Sequence, residues 1–171
     1  MKKSIEIVML GDSITSRGDW KKLLENEYIL NLGIDGDTTK GVFQRVNRAI
    51  EVEPKIVFLM VGINDLCISI PLEEVFGNYK KICEKICEKK IKIVVQATLL
   101  TQMPAVNKKV RKFNEMLEDY CNKEKIEFLN LNEPFSNEEK LLREDLTTDG
   151  LHLGQKAYKV WAYKIKNMAL V

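Results

Sequence analysis

Histidine is nearly absent from this chain: His152 is the one imidazole in 171 residues. Any acid–base chemistry near neutral pH therefore has a single histidine base available to it. Long apolar runs are missing too, since no window approaches the ~20 residues of a membrane-spanning helix. Charge of one sign is also lacking, because 27 basic and 25 acidic side chains leave a net charge of +2. Lysines alternate with glutamates, as in Glu84-Lys85 and Glu88-Lys89. That pattern reads as solvated helix faces and argues against nucleic acid as a partner. Met1-Lys2-Lys3 superficially suggests a signal peptide, yet the apolar stretch after it is short, is broken by Glu6 and leads to no small-residue cleavage site. A cytoplasmic location is the expectation.

Cysteines number four (Cys67, Cys83, Cys87 and Cys121), which suits free thiols. Cys83 and Cys87 stand four apart and invite a metal-ligand reading. Their apolar neighbours Leu72, Val75, Phe76, Tyr79, Ile82 and Ile86 place both on the buried stripe of one helix instead. With one histidine and no second thiol pair nearby, no metal is expected.

What is present is an alternation of strands and helices. Short apolar runs at residues 5–10, 28–32, 55–61, 91–96 and 126–131 have the character of buried strands. Helical periodicity separates or follows them at 38–51 (Thr38 and Thr39 as N-cap candidates), 71–89, 106–123 and 154–169. Five such alternations predict an α/β fold with a parallel sheet covered by helices on both faces. The chain, residues 1–171, reads as one domain without repeats or linkers. In such sheets ligands bind beyond the C-terminal strand ends.

Four short blocks fall at that edge or near the C-terminus. In Gly11-Asp12-Ser13-Ile14-Thr15, a serine at a strand end is presented as a nucleophile, and its own N–H can bind an oxyanion. An ordinary polar turn or a flavodoxin-like phosphate loop has the same composition, and the second glycine of a Gly-x-Ser-x-Gly elbow is missing. In Asn31-Leu32-Gly33-Ile34-Asp35-Gly36-Asp37-Thr38, Gly33 permits close backbone approach and can turn its N–H into a site, or it serves a plain turn. In Gly62-Ile63-Asn64-Asp65, the Asn64 amide can donate to a developing oxyanion, though Asn and Asp are also common loop formers. In Asp149-Gly150-Leu151-His152, the carboxylate can reach back to the ring Nδ1–H and free Nε2 as base, while a turn or surface histidine fits the same residues. Singly these are ambiguous, but in this order and on successive strand ends they point to a serine hydrolase.

With those blocks in view, the chain resembles the SGNH (GDSL-type) hydrolase family of esterases and lipases, especially small bacterial acylhydrolases related to platelet-activating-factor acetylhydrolase subunits. The likeness runs from the first strand to the last helix. It implies a three-layer α/β/α sandwich with a five-stranded parallel sheet of flavodoxin-like topology, and a mechanism without metal or cofactor. It also implies Ser13 as nucleophile, Asp149 and His152 as acid and base, and Ser13, Gly33 and Asn64 as the oxyanion hole. Asp12 and Asp65 are expected to hold the loops. Residues 96–104 occupy the place of a variable, substrate-facing loop. The expected substrate is a small-molecule ester with a short acyl or acetyl group. An acyltransferase, a thioesterase or lysophospholipase with the same triad, or a non-catalytic phosphate-binding module are the alternatives, and a homo-oligomer stays open.

Overall fold

The computed structural model describes residues 4–168. Met1-Lys2-Lys3 and position 169, the expected end of the last helix, lie outside the described residues. Five strands, β1 Ile7–Gly11, β2 Ile29–Gly33, β3 Ile56–Met60, β4 Lys92–Gln96 and β5 Glu127–Leu129, form one parallel sheet in the order β2-β1-β3-β4-β5. The apolar runs become strands because helices cover them: Val8, Met9 and Leu10 of β1 are fully buried, as is every residue of β3. Such near-continuous apolar strands mark a parallel sheet covered on both faces. The edge strands β2 and β5 are only partly covered, and β5 shrinks to three residues from the six expected at 126–131.

Strand β1 leads outward to β2, and the chain then returns across β1 to β3. The crevice at the C-terminal ends of β1 and β3 is thus the topological switch point, where this class of sheet binds its ligands. The connections carry α1 Ser13–Ser16, α2 Trp20–Leu24, α3 Thr39–Arg45, α4 Asn47–Ile50, α5 Ile63–Cys67, α6 Leu72–Glu88, α7 Pro104–Glu124, α8 Asn132–Phe135 and α9 Gln155–Lys166. The helix expected over 38–51 is divided at Val46 into α3 and α4. Helix α7 starts two residues earlier than its apolar periodicity suggests, because Pro104 suits a first turn, where a missing N–H costs nothing.

Helix α2 packs on α9, while α3, α6 and α7 pack on one another. The first group is pinned by Trp20 against Trp161, edge to face at 4.6 Å between ring centroids, and the Trp161 indole N–H donates to Gln96 Oε1 at 2.6 Å. Burying an aromatic pair of this kind contributes about 0.5–1.5 kcal/mol beyond the area it removes from water.

One expectation is corrected. Cys83 and Cys121 are buried, but Cys87 is exposed. At 3.6 residues per turn each four-residue step advances the position by about 40°, and from Tyr79 through Cys83 this drift carries Cys87 out of the stripe. Of the segment 96–104, Gln102, Met103 and Pro104 reach the surface, and residues 96–101 lie beneath it. They are buried, with the Thr98, Leu100 and Thr101 amides held by the side chains of Asn114, Asn132 and Asn107 at 2.9, 2.7 and 2.8 Å. Among the described residues no helix is long and apolar enough to cross a membrane.

Candidate active site

Gly11 ends β1 and Ser13 opens α1, so the serine stands at the switch point with its side chain 5% exposed. The turn is set by Asp12, whose Oδ1 caps the helix by accepting the Ile14 N–H at 3.0 Å. Ser13 Oγ lies 3.1 Å from His152 Nε2, and His152 Nδ1 lies 2.7 Å from Asp149 Oδ2. The two ends of the chain meet here, 139 residues apart in sequence. Asp149 Oδ1 also accepts the backbone N–H groups of Leu151 and His152 at 3.0 and 2.7 Å. The hydrogen bond from the His152 ring, helped by those amides, holds the Asp149 carboxyl down at about 2. An ionised acceptor at Nδ1 favours the tautomer that leaves Nε2 free to accept a proton.

The His152 loop is stitched from within. The Thr147 hydroxyl donates to the His152 carbonyl at 2.6 Å and accepts the Gly150 N–H at 2.9 Å, and Gly150 in turn accepts the Gln102 N–H at 2.8 Å. Gln102, just before α7 and within the 96–104 segment expected to face substrate, is thereby a neighbour of the His152 loop.

The oxyanion donors require one correction. The Gly33 N–H donates to Asn31 Oδ1 at 2.9 Å, so this amide is not available to a substrate. Asn31 also donates through Nδ2 to the Ser16 and Gly18 carbonyls at 2.9 and 3.2 Å, stapling β2 to the end of α1. Gly33 is needed for that close approach, since a Cβ there would collide with the Ser16 backbone. The free amide is that of Gly36. It occupies the third position of a turn closed by the Asp37 N–H on the Ile34 carbonyl at 3.2 Å, with φ +76°. A type II turn requires such a value. The Gly36 N–H has no partner among the described residues, and a Cβ at this glycine would meet nothing. Asn64, in the first turn of α5, donates one Nδ2 hydrogen to the Asp37 carbonyl at 2.8 Å, which places its amide beside the Gly36 turn with a second hydrogen to spare.

Asp65 holds the loops as expected, accepting the Thr39 N–H at 3.0 Å and the Thr39 hydroxyl at 2.7 Å. Arg45 was not singled out by the sequence. Its side chain, 11% exposed, donates to Asp37 Oδ2 at 2.7 Å, the Leu32 carbonyl at 2.7 Å and the Gly11 carbonyl at 2.9 Å. One guanidinium thus ties together the ends of β1 and β2 and the turn that carries Gly36.

Asp12 is 1% exposed, and burial pushes its carboxyl up to about 7, with the Asp37 and Asp65 carboxylates acting in the same direction against the Ile14 hydrogen bond. A carboxyl raised on folding stabilises nothing below its unfolded value near 4, and costs stability increasingly as pH rises from there through about 7. Asp12→Asn keeps an oxygen for the cap and removes the buried charge. Urea unfolding should therefore show the variant gaining on the wild type between pH 4.5 and 8, by a few kcal/mol at most. An equal difference at both pH values would show that the Asp12 charge carries no such penalty.

Among the described residues no group of three or more His, Cys, Asp and Glu side chains is arranged to hold a metal ion. The doubly wound sheet thus brings Ser13, His152 and Asp149 into one hydrogen-bonded series at its switch point, an arrangement able to activate a serine hydroxyl. The model of the GDSL-like Lipase/Acylhydrolase family matches residues 9–160. The chain belongs to this family. It is similar to the N-acylneuraminate cytidylyltransferase of Streptococcus agalactiae serotype III, with 30% identity over 88% of this chain and 35% of that protein. The chain thus spans about a third of that relative's length. It is also similar to platelet-activating factor acetylhydrolase IB subunit alpha1 of Bos taurus, with 29% identity over 91% of this chain and 71% of that one. A crystal structure of a GDSL-like lipase from Bacteroides thetaiotaomicron superimposes with a TM-score of 0.86 and 25% identity, covering 97% of this chain and 88% of that chain.

Proposed function

We propose that this chain hydrolyses short-chain acyl esters, acetyl esters of small alcohols and sugars among them, through an acyl-Ser13 intermediate. The observation that carries the reading is the unbroken series Ser13 Oγ, His152 Nε2, His152 Nδ1, Asp149 Oδ2, at 3.1 and 2.7 Å. Ser13 Oγ attacks the acyl carbonyl while His152 takes its proton, and Asp149 stabilises the imidazolium so formed. The tetrahedral oxyanion accepts from the Ser13 N–H, the Gly36 N–H and the spare Asn64 amide hydrogen. Collapse expels the alcohol, protonated by His152. Water, activated by the same imidazole, then releases the acid from Ser13.

Two features support a short acyl group. Ile34 and Ile68, 43% and 66% exposed, stand on the loops that carry Gly36 and Asn64 and offer an apolar rim of limited size. Ser13 is only 5% exposed, which leaves little room around the nucleophile for a bulky acyl group. A phosphate-binding module would use the loop at Ser13 but would need neither the Asp149–His152 pair nor Asn64.

The test is labelling and turnover together. A p-nitrophenyl alkylphosphonate should modify Ser13 and abolish hydrolysis of p-nitrophenyl acetate. Asn64→Ala should lower kcat by roughly 10²–10³-fold with a far smaller change in KM, because the donor acts on charge that exists only in the transition state. Label on another residue, or an Asn64→Ala loss confined to KM, counts against the mechanism.

A further inference from the structure

One helical turn from the catalytic serine opens a cavity of about 430 Å³ whose walls include Arg17 and Asp19 from the connection between α1 and α2, Lys22 from α2, and Gln155, Tyr158 and Lys159 from α9. Its position ties it to the site. Arg17 is four residues after Ser13, on the same face of the first turn, with its N–H on the Ser13 carbonyl at 3.1 Å. Gln155 follows His152 by three residues, at the start of α9. In the mechanism above the leaving oxygen must sit against His152 Nε2. Arg17 stands about one helical turn, roughly 5–6 Å, from Ser13, within the span of an alcohol of sugar size.

The chemistry of the wall is one-sided. Three cations face one carboxylate, Asp19, in a chain whose charges otherwise nearly cancel. Lys22 and Lys159 form no ion pair among the described residues, whereas Lys21, next to Lys22, pairs with Glu27 at 3.9 Å. Arg17 pairs with Asp35 at 3.0 Å, but both side chains are about half exposed, 45% and 57%, so the bond is screened and its guanidinium can exchange partners at little cost. The Tyr158 hydroxyl is committed to the Ile14 carbonyl at 2.7 Å, which fixes that wall and leaves the cations as the groups free to bind.

We propose that the cavity one turn from Ser13 is a leaving-group subsite for an anion, a carboxylate or phosphate on the alcohol half of the ester, bound by Arg17, Lys22 and Lys159. This rests on the ester-hydrolase reading of Ser13. A guanidinium offers a two-pronged contact to either anion, and two ammonium groups add charge without fixing geometry. The volume accommodates an alcohol of sugar size.

Two experiments separate this inference from the reading beneath it. The first compares kcat/KM for O-acetyl glucose, O-acetyl glucuronate and O-acetyl glucose phosphate. The wild type should favour the charged esters by about tenfold or more, a preference that falls with added salt as screened charge interactions do. In Lys22→Ala/Lys159→Ala the ratio of charged to neutral should drop toward one. The second measures calorimetric binding of glucuronate, inorganic phosphate and glucose to the Ser13→Ala protein. The two anions should bind, glucose should not, and the lysine substitutions should abolish the difference. Anion binding without any ester cleavage overturns the hydrolase reading and leaves the subsite standing. Ester cleavage with no charge preference and no anion binding overturns the subsite and leaves the hydrolase.

Discussion

Ser13→Ala is expected to lower kcat for p-nitrophenyl acetate by about 10⁴–10⁶-fold, and His152→Ala by a similar factor. The expectation follows from the series of contacts. With Oγ gone no acyl-enzyme can form. With the imidazole gone the hydroxyl has no base, and the chain holds no second histidine to replace it. Because the two side chains perform one step, their losses should not add, and the double variant should be about as slow as either single one. The remaining rate, about 10³-fold over water, would belong to the Ser13, Gly36 and Asn64 donors. Asp149→Asn is a finer probe. The asparagine oxygen can keep the Leu151 and His152 backbone bonds, but its NH₂ would face Nδ1 and select the wrong tautomer. A loss near 10⁴-fold with little change in stability is expected on that ground. Stopped assays at protein concentrations fixed by absorbance measure all four proteins, and activity in Ser13→Ala within a few-fold of wild type would falsify the mechanism.

Much of this was legible in the sequence, and for physical reasons. Strands β1 and β3 are buried on both faces, so they had to be written as apolar runs; the run at 55–61 encloses β3, and that at 5–10 takes in all of β1 but Gly11. Helices of four or five residues, such as α1 and α5, complete barely one turn and leave no period to detect. Ser13, Asn64, Asp149 and His152 stand out in the sequence as members of short glycine- or carboxylate-bearing blocks, and their expected roles come from the family resemblance those blocks carry together. Gly33 and Gly36 could not be told apart that way. Which of their amides faces the site is decided by Asn31 Oδ1, a side-chain hydrogen bond that spacing does not encode. Cys87 was misplaced by treating an i, i+4 pair as strictly eclipsed. Arg45 left a usable signal that went unread: it lies three residues after Val42 and one before Val46, both fully buried. A charged residue that close to the buried stripe of an amphipathic helix needs a partner, and here the partners are strand ends.

Arg45→Met should be among the most destabilising substitutions in the chain, costing about 3–5 kcal/mol in urea unfolding, the usual penalty for breaking one side of a buried ion pair. Asp37, with its side chain 13% exposed, would keep a carboxylate without its counter-ion, and the Gly11 and Leu32 carbonyls would lose a charged donor. Lysine is a poor substitute, since one ammonium cannot span three acceptors on two strands and a turn. The pair can be dissected by adding Asp37→Asn, which removes the stranded charge while retaining an acceptor for the Thr38 N–H, held at 3.0 Å. Stability should then recover in part. Activity should not, because the guanidinium does a second job: it fixes Gly11, two residues before the nucleophile, against the turn that carries Gly36 and receives Asn64. A displacement of about 1 Å between nucleophile and oxyanion donors is enough to cost on the order of 10²-fold in kcat. The loss should fall on kcat more than on KM in both the single and the double variant. If kcat returns with stability in the double variant, Arg45 only balances Asp37. If it stays low in a folded protein, the arginine positions the reacting groups, and the fold has placed a largely covered guanidinium where two strand ends and a turn must keep register for the chemistry to occur.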